Sequence, residues 1–213
     1  MHRTCEPAIL YFGTPVVLIS TVNKDGSYNL APMSSAWWLG WRCLVGLAAS
    51  SQTPQNMLRT RECVLNLPSA AQVTAVDRLA KTTGRDPVPE IKLRRGYRFE
   101  RDKFGIAGLT ADPSEIVAAP RVLECPVQLE ATVESVYPLA ENDPVWRGRQ
   151  IAFEVRIRCA HIEESILVDG EPNRVDPDKW RPLIMSFQKF YGFAPGEPHP
   201  SRLAEIPEAL YRG

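Results

Sequence analysis

The run Ala48-Ala49-Ser50-Ser51-Gln52-Thr53-Pro54-Gln55-Asn56 joins an apolar stretch to the start of a helical pattern. A helix N-terminus carries unsatisfied backbone N–H groups and the positive end of the helix dipole, so such a junction suits a phosphate. Ser51 and Thr53 would add hydroxyls there, and Gln52 an amide. The pair Thr53-Pro54 also reads as a plain helix start, with Thr53 as N-cap and Pro54 at the first helical position. Thr53 therefore has two readings, phosphate ligand or cap.

A second candidate is Asn29-Leu30-Ala31-Pro32-Met33-Ser34-Ser35. Pro32 removes a backbone donor from a strand that otherwise looks central, which points to a bulge or an irregular edge. Small residues there let a flat ligand approach the backbone; the other reading is a strained strand with nothing bound. The remaining chemistry is sparse. Neither G-x-G-x-x-G, a Walker loop, G-x-S-x-G nor H-E-x-x-H occurs. Of the histidines, His2 is terminal, His199 lies between prolines, and His161 ends a strand beside Glu163 and Glu164, as a surface residue would. Cys5, Cys43, Cys63, Cys125 and Cys159 form no CxxC pair and suggest no zinc site. They read as reduced thiols of a cytoplasmic protein, four of them in apolar or strand-like runs.

These residues need elements to hold them. Pro15–Val22 is β-branched and reads as a strand, Asn23-Lys24-Asp25-Gly26 as a turn, and Ser27–Leu39 as the returning strand of a hairpin. Arg42–Ala49 is a third strand. A helix follows to about Arg61, then a strand over Cys63–Leu67 and a helix over Ala70–Lys81 with Val73, Val76, Leu79 and Ala80 at helical spacing. Thr82–Thr110 is irregular and basic at first, and loops this long are often functional. Arg121–Tyr137 and Gln150–His161 alternate, as strands of an antiparallel sheet or barrel do. From about Phe193 the chain is a Pro-rich tail. Strands, inserted helices, then strands again suggest one domain over residues 1–213: a mainly β (α+β) antiparallel barrel with helical insertions.

Composition agrees. The 19 prolines disfavour long helices. Lys and Arg together number 25, as do Asp and Glu, so there is no basic footprint for nucleic acid and no reason to expect an anionic membrane surface. The start of the sequence has no apolar h-region, so a secretory signal is not expected. The most apolar stretch, Ala36–Ala49, is broken by Arg42 and falls short of the roughly 18–20 residues of a bilayer span.

Taken together, the hairpin, Asn29-x-Ala31-Pro32-x-Ser34, Ser51-x-Thr53-x-x-Asn56 and Asn66-Leu67 resemble the flavin reductase-like family. Asp102-Lys103-Phe104, Ala107-Gly108-Leu109-Thr110 and Cys125-Pro126-Val127-x-Leu129-Glu130 add to the resemblance, which spans roughly residues 10 to 192. It implies an FMN-binding split barrel of six antiparallel strands, a homodimer, and FMN near the subunit interface. Carried over by residue, Asn29, Ala31, Pro32, Met33, Ser34 and Ser35 would line the isoalloxazine edge. Ala49, Ser50 and Ser51 would run along the ring and ribityl chain. Ser51, Gln52 and Thr53 would hold the phosphate, with Asn56 one turn on. Many relatives have a basic side chain at the phosphate turn, where this chain has Gln52; Lys81 or Arg85, in the segment with Thr83 that would fold over the flavin, would supply the charge.

The activity so implied is an oxidoreductase: an FMN-dependent flavin reductase using NADH or NADPH, serving an acceptor such as a partner monooxygenase. The alternative is a flavin store or sensor without catalysis. Arg101-Asp102-Lys103-Phe104 replaces the Gly-Asp-Arg-Phe of some reductases, and no histidine stands near it. Trp37, Trp38 and Trp41 would pack in the core or a dimer interface, or cap a flavin. Tyr191 would approach the ring from a neighbouring subunit or serve structure alone.

Overall fold

The computed structural model describes residues 1–195 and Ser201, so most of the Pro-rich tail lies outside the described residues. Seven strands make one antiparallel sheet: β1 (Val17–Val22), β2 (Tyr28–Met33), β3 (Ala36–Leu39), β4 (Arg42–Ala48), β5 (Glu62–Leu67), β6 (Val127–Pro138) and β7 (Gln150–Ile162). Their order is β2-β1-β5-β6-β7-β4-β3. The first hairpin forms as its sequence requires: Asn23 N donates to Ser27 O, and Gly26 takes φ +83° in the turn.

The expected strand Ser27–Leu39 is two strands, β2 and β3, and they lie at opposite edges of the sheet. The chain leaves one edge after Met33 and joins the other at Ala36. The Ser34–Ser35 link thus spans the split of the barrel, and Gly46 N donates to Ser35 O (2.8 Å) to hold it. This is why seven strands stand where six were expected. Pro32 pairs with Leu18 on edge strand β2, where the missing donor does no harm.

Strand β1 is buried on both faces. Val17 and Ile19 pack into an inner core with Val45, Leu65, Phe153 and Val155. Leu18 points the other way, into an outer core with Leu30, Val76, Leu79, Phe104 and Leu183. The period-2 alternation of a strand thus serves two cores at once.

Helix α1 (Gln52–Thr60) leads from β4 into β5. The expected helix Ala70–Lys81 is shorter: a 3₁₀ turn at Ala70–Gln72, capped by Ser69 and Gln72 in a reciprocal box, then α2 (Val73–Arg78). The irregular segment contains α3 (Glu90–Leu93), α4 (Lys103–Ala107) and a parallel pairing of Thr82–Thr83 with Arg98–Phe99. The expected strand Arg121–Tyr137 is interrupted over residues 123–126, leaving Arg121–Val122 paired with Ala111–Asp112. At the chain's two ends, Thr14–Pro15 pairs with Ile184–Met185, which pairs in turn with Phe190–Tyr191. No helix among the described residues is long and apolar enough to cross a membrane.

Candidate functional site

The two segments singled out above meet. Asn29 on β2 donates through Nδ2 to Thr53 Oγ1 on α1 (3.1 Å) and to Thr21 Oγ1 on β1 (3.3 Å). Asn56, one turn along α1, donates to Thr21 Oγ1 (3.0 Å) and Asn23 Oδ1 (2.9 Å), and Gln52 Nε2 donates to Asn56 Oδ1 (2.9 Å). Asn29, Thr53 and Asn56 are buried, and this neutral network holds the Asn29 and Asn56 amides and the Thr53 hydroxyl together.

Thr53 is not the N-cap. Helix α1 begins at Gln52 and its N-cap is Ser51, whose side chain makes no capping hydrogen bond. The backbone extends at Ser51 (φ −78°, ψ 162°), so Thr53 is the second residue of the helix and its hydroxyl accepts from Asn29. Pro54 still sits in the first turn, where its missing donor is harmless. The Ser51 hydroxyl instead accepts from Lys92 Nζ (3.0 Å), which also donates to Thr83 Oγ1 (3.2 Å). An uncapped helix N-terminus, two hydroxyls and an ammonium therefore share one place.

The segment Lys81–Arg85 does fold over this place. Gly84 lies so close that a Cβ there would run into Asn29 Oδ1 and press on Gln52 Cγ (3.3 Å). Thr83 is buried, while Lys81 and Arg85 are exposed; Arg85 contributes its backbone N–H to Thr83 Oγ1 (3.3 Å). Lys92 is the cation that reaches the turn. Sequence reading missed it because it stands on α3, 41 residues from Ser51, without a motif around it. Burial lowers its pKa. Lys103, 2 % exposed, donates to Thr82 Oγ1 (2.6 Å); burial, with Lys92 nearby, lowers its pKa to about 8. Lys92 and Lys103 thus donate to neighbouring residues of one strand, Thr83 and Thr82, and only Lys92 of the two also reaches Ser51.

Along the other arm, Ala31, Pro32, Met33 and Ser34 are half-buried on and beyond the edge strand, and Ser35 is exposed. Ala49 is half-buried and Ser50 exposed; Ala49 N donates to Arg149 O (3.0 Å). Trp38 Nε1 is the one buried side-chain donor among the described residues without a hydrogen-bond partner. Trp37, Leu39 and Trp41 are exposed on and beside edge strand β3. Tyr191 is exposed. The Ser51 and Thr83 hydroxyls, the Lys92 ammonium and the Gly84 cradle fit a phosphorylated ligand.

A separate polar cluster lies on β6 and β7. His161 Nε2 faces Glu130 Oε1 (2.7 Å) and Cys159 Sγ (3.5 Å). Both contacts fall on the same ring nitrogen, so the imidazole cannot relay a proton from thiol to carboxylate. Glu130, fully buried, also accepts the backbone N–H groups of Glu115, Ile116 and Val117 (2.9, 2.6 and 3.2 Å). The cluster pins a loop, and half-buried His161 is part of that pin rather than a surface residue. The thiols of Cys43, Cys63 and Cys125 are buried, and burial pushes their pKa up, that of Cys43 to about 12. They are inert packing groups.

Comparison with known proteins shows the family and the fold. The family model described as "Flavin reductase like domain" matches residues 9–191. The uncharacterised protein YdfE of Bacillus subtilis is 35% identical over 190 residues, covering 89% of this chain and 88% of that protein. Flavoredoxin of Desulfovibrio vulgaris shares the fold with a TM-score of 0.74 at 22% identity, covering 96% of this chain and 98% of its own. Nitrilotriacetate monooxygenase component B from Bacillus cereus does so with a TM-score of 0.71 at 20% identity, covering 91% and 89%.

Proposed function

Since the chain belongs to the flavin reductase-like family, whose model covers residues 9–191, we propose that it binds FMN and reduces it with NADH or NADPH. The flavin phosphate would lie at Ser51, Gln52 and Thr53, with Lys92 and Thr83 closing over it. The ring would lie along Asn29–Ser35 and Ala49–Ser50. The observation that carries this reading is Lys92 bridging the hydroxyls of Ser51 and Thr83 at an uncapped helix start. There a dianionic phosphate gains charge-assisted hydrogen bonds that neutral donors alone would not give.

Bound flavin would accept a hydride from the nicotinamide and pass reducing equivalents on, chemistry that asks no acid or base of the protein. The protein's own tasks are then positional. The Asn29–Thr53–Asn56–Thr21 network fixes the angle between β2 and α1. Gly84 lets the covering segment come close. The nearby apolar strand edge excludes water from one side of the ring. A homodimer is part of the proposal, supported by the exposed tryptophans on and beside edge strand β3, which a second subunit would cover. The acceptor would be a partner monooxygenase or another flavin-dependent enzyme of the cytoplasm.

The test is direct. Purified protein is titrated with FMN by fluorescence quenching, then mixed anaerobically with NADH or NADPH, with its mass followed by sedimentation. Flavin binding with rapid bleaching supports a reductase. Tight FMN binding without bleaching by either nicotinamide removes the enzyme and leaves a flavin store or sensor. Absence of flavin binding overturns both.

A further inference from the structure

The pair β6–β7 carries side chains that the flavin reading does not use. Residues two apart on a strand share a face, so Cys159 and His161 of β7 stand side by side. The register sets Glu130 of β6 opposite Cys159 and Gln128 opposite His161, which brings Glu130 to that face as well. A thiol sulfur, an imidazole nitrogen and a carboxylate oxygen then lie within 4.8 Å of one another. The sequence has no zinc pattern to show for this, because the third group comes from the neighbouring strand, 31 residues from His161.

Sulfur, nitrogen and oxygen together are the donor set of a borderline divalent metal such as zinc. Around that ion sulfur stands at about 2.3 Å and nitrogen or oxygen at about 2.0–2.2 Å, so tetrahedral neighbours lie about 3.3–3.6 Å apart. Cys159 Sγ and His161 Nε2 already stand 3.5 Å apart. His161 Nε2 and Glu130 Oε1 stand at 2.7 Å, a hydrogen bond whose proton a metal would replace. Opening that pair takes only about 0.6 Å. The carboxylate is held for the task by the backbone N–H groups of Glu115, Ile116 and Val117, as ligating carboxylates are held from outside. A metal-bound histidine gives its other N–H to a carboxylate, and Glu115 Oε1 stands 4.0 Å from Nδ1 on a side chain 69% exposed, with room to close. The nearby cation Arg121 is spent on Asp112 (2.5 Å) and Gln128 (3.2 Å). Cys159 and His161 are half-buried, so an ion has a way in from solvent.

We propose that Glu130 Oε1, Cys159 Sγ and His161 Nε2 are the protein ligands of a zinc-class divalent cation, with a fourth position open to water. On binding, the thiol proton leaves to solvent and the imidazole proton moves from Nε2 to Nδ1, the nitrogen that faces Glu115. Dication, thiolate and carboxylate then sum to zero, so the site buries no net charge. The ion ties β6, β7 and the loop at residues 115–117 into one unit. Its role is structural, a lock on the clamp that hydrogen bonds make alone, and it stands apart from the flavin reading.

The full chain, stripped with a chelator, is titrated with Co²⁺ and followed by the thiolate-to-cobalt charge-transfer absorption in the near ultraviolet; Zn²⁺ is then added in competition. The expected result is one Co²⁺ per chain with that absorption, its loss to Zn²⁺, and a higher Tm with either ion. Cys159→Ser and His161→Gln should each weaken binding by about a hundredfold or more and abolish the rise in Tm, since even outer-shell changes cost about 10–100-fold. Circular dichroism without metal checks that these variants fold. Glu115→Gln alters an exposed side chain and no ligand, so it keeps the test open if they do not: it should weaken Zn²⁺ binding by about tenfold. Cys5 is also exposed, and Cys5→Ser should bind as wild type does. Wild type without the charge-transfer absorption, an absorption that survives Cys159→Ser, or one that disappears in Cys5→Ser overturns the site.

Discussion

Lys92 and Thr53 illustrate how little a residue's type alone reveals. Thr53 looked like a cap or a phosphate ligand, and its hydroxyl is buried against Asn29. Thr53→Ala would leave Asn29 with one partner fewer, so it would disturb the fold and the ligand together. Lys92 is the cleaner probe, because its hydrogen bonds go to the hydroxyls of Ser51 and Thr83 and it takes no part in the Asn29 network. Lys92→Met is expected to weaken FMN binding by about 1.5–3 kcal/mol, the range for a hydrogen bond to a charged group. Riboflavin, without the phosphate, should bind equally to both proteins in the same fluorescence titration. Parallel losses for both ligands would place Lys92 outside the phosphate site. The charge was invisible in sequence because 41 residues and a whole inserted segment separate it from Ser51. The hydroxyls were visible because they cluster in the chain itself.

At the scale of elements, legibility follows the range of the causes. The β1–β2 turn, α1 and the buried strand β5 are set by local chemistry: a turn glycine, hydroxyls before a helix, an apolar run. The separation of β2 from β3 is not local, since only the barrel's closure tells the chain where to part. Pro32 hinted at an edge without showing that the strand would be divided. Likewise the covering segment reads as a mere loop, yet its approach depends on one missing Cβ. Gly84→Ala would press on Asn29, which Thr21 and Thr53 hold in place. Overpacking of this kind costs about 1–3 kcal/mol. We expect thermal denaturation to shift down and FMN titration to weaken together; a variant stable and fully binding would mean that the segment moves aside freely.

For the whole molecule, the clamp at Glu130 links the β6–β7 pair to the loop at residues 115–117. Burial alone would raise the pKa of its carboxyl, but the backbone N–H groups of Glu115 and Ile116, with His161 and Val117, outweigh it and the net shift is downward. A carboxyl depressed on folding stabilises the native state above its unfolded value of about 4.3. That contribution is lost as pH falls from there through the folded value. Glu130→Gln sets an amide against those donors, so it should destabilise at pH 7 by about 1–3 kcal/mol per unsatisfied group. It should also flatten the acid limb in urea titrations at pH 7 and below. Wild type and variant curves that stay parallel down the acid limb would show that the clamp carries no charge-dependent stability.

The strand pairing at the chain's ends has a temporal consequence. Val16 N donates to Leu183 O, Thr14–Pro15 pairs with Ile184–Met185, and Leu183 fills the outer core beside Leu18. During synthesis the first strand leaves the ribosome long before its last partner exists. Until that partner emerges, the outer face of β1 lacks Leu183, and the nascent barrel must wait with an apolar seam uncovered. A truncation before Leu183 should therefore behave less like a shortened protein than like a permanently unfinished one, prone to associate through that seam.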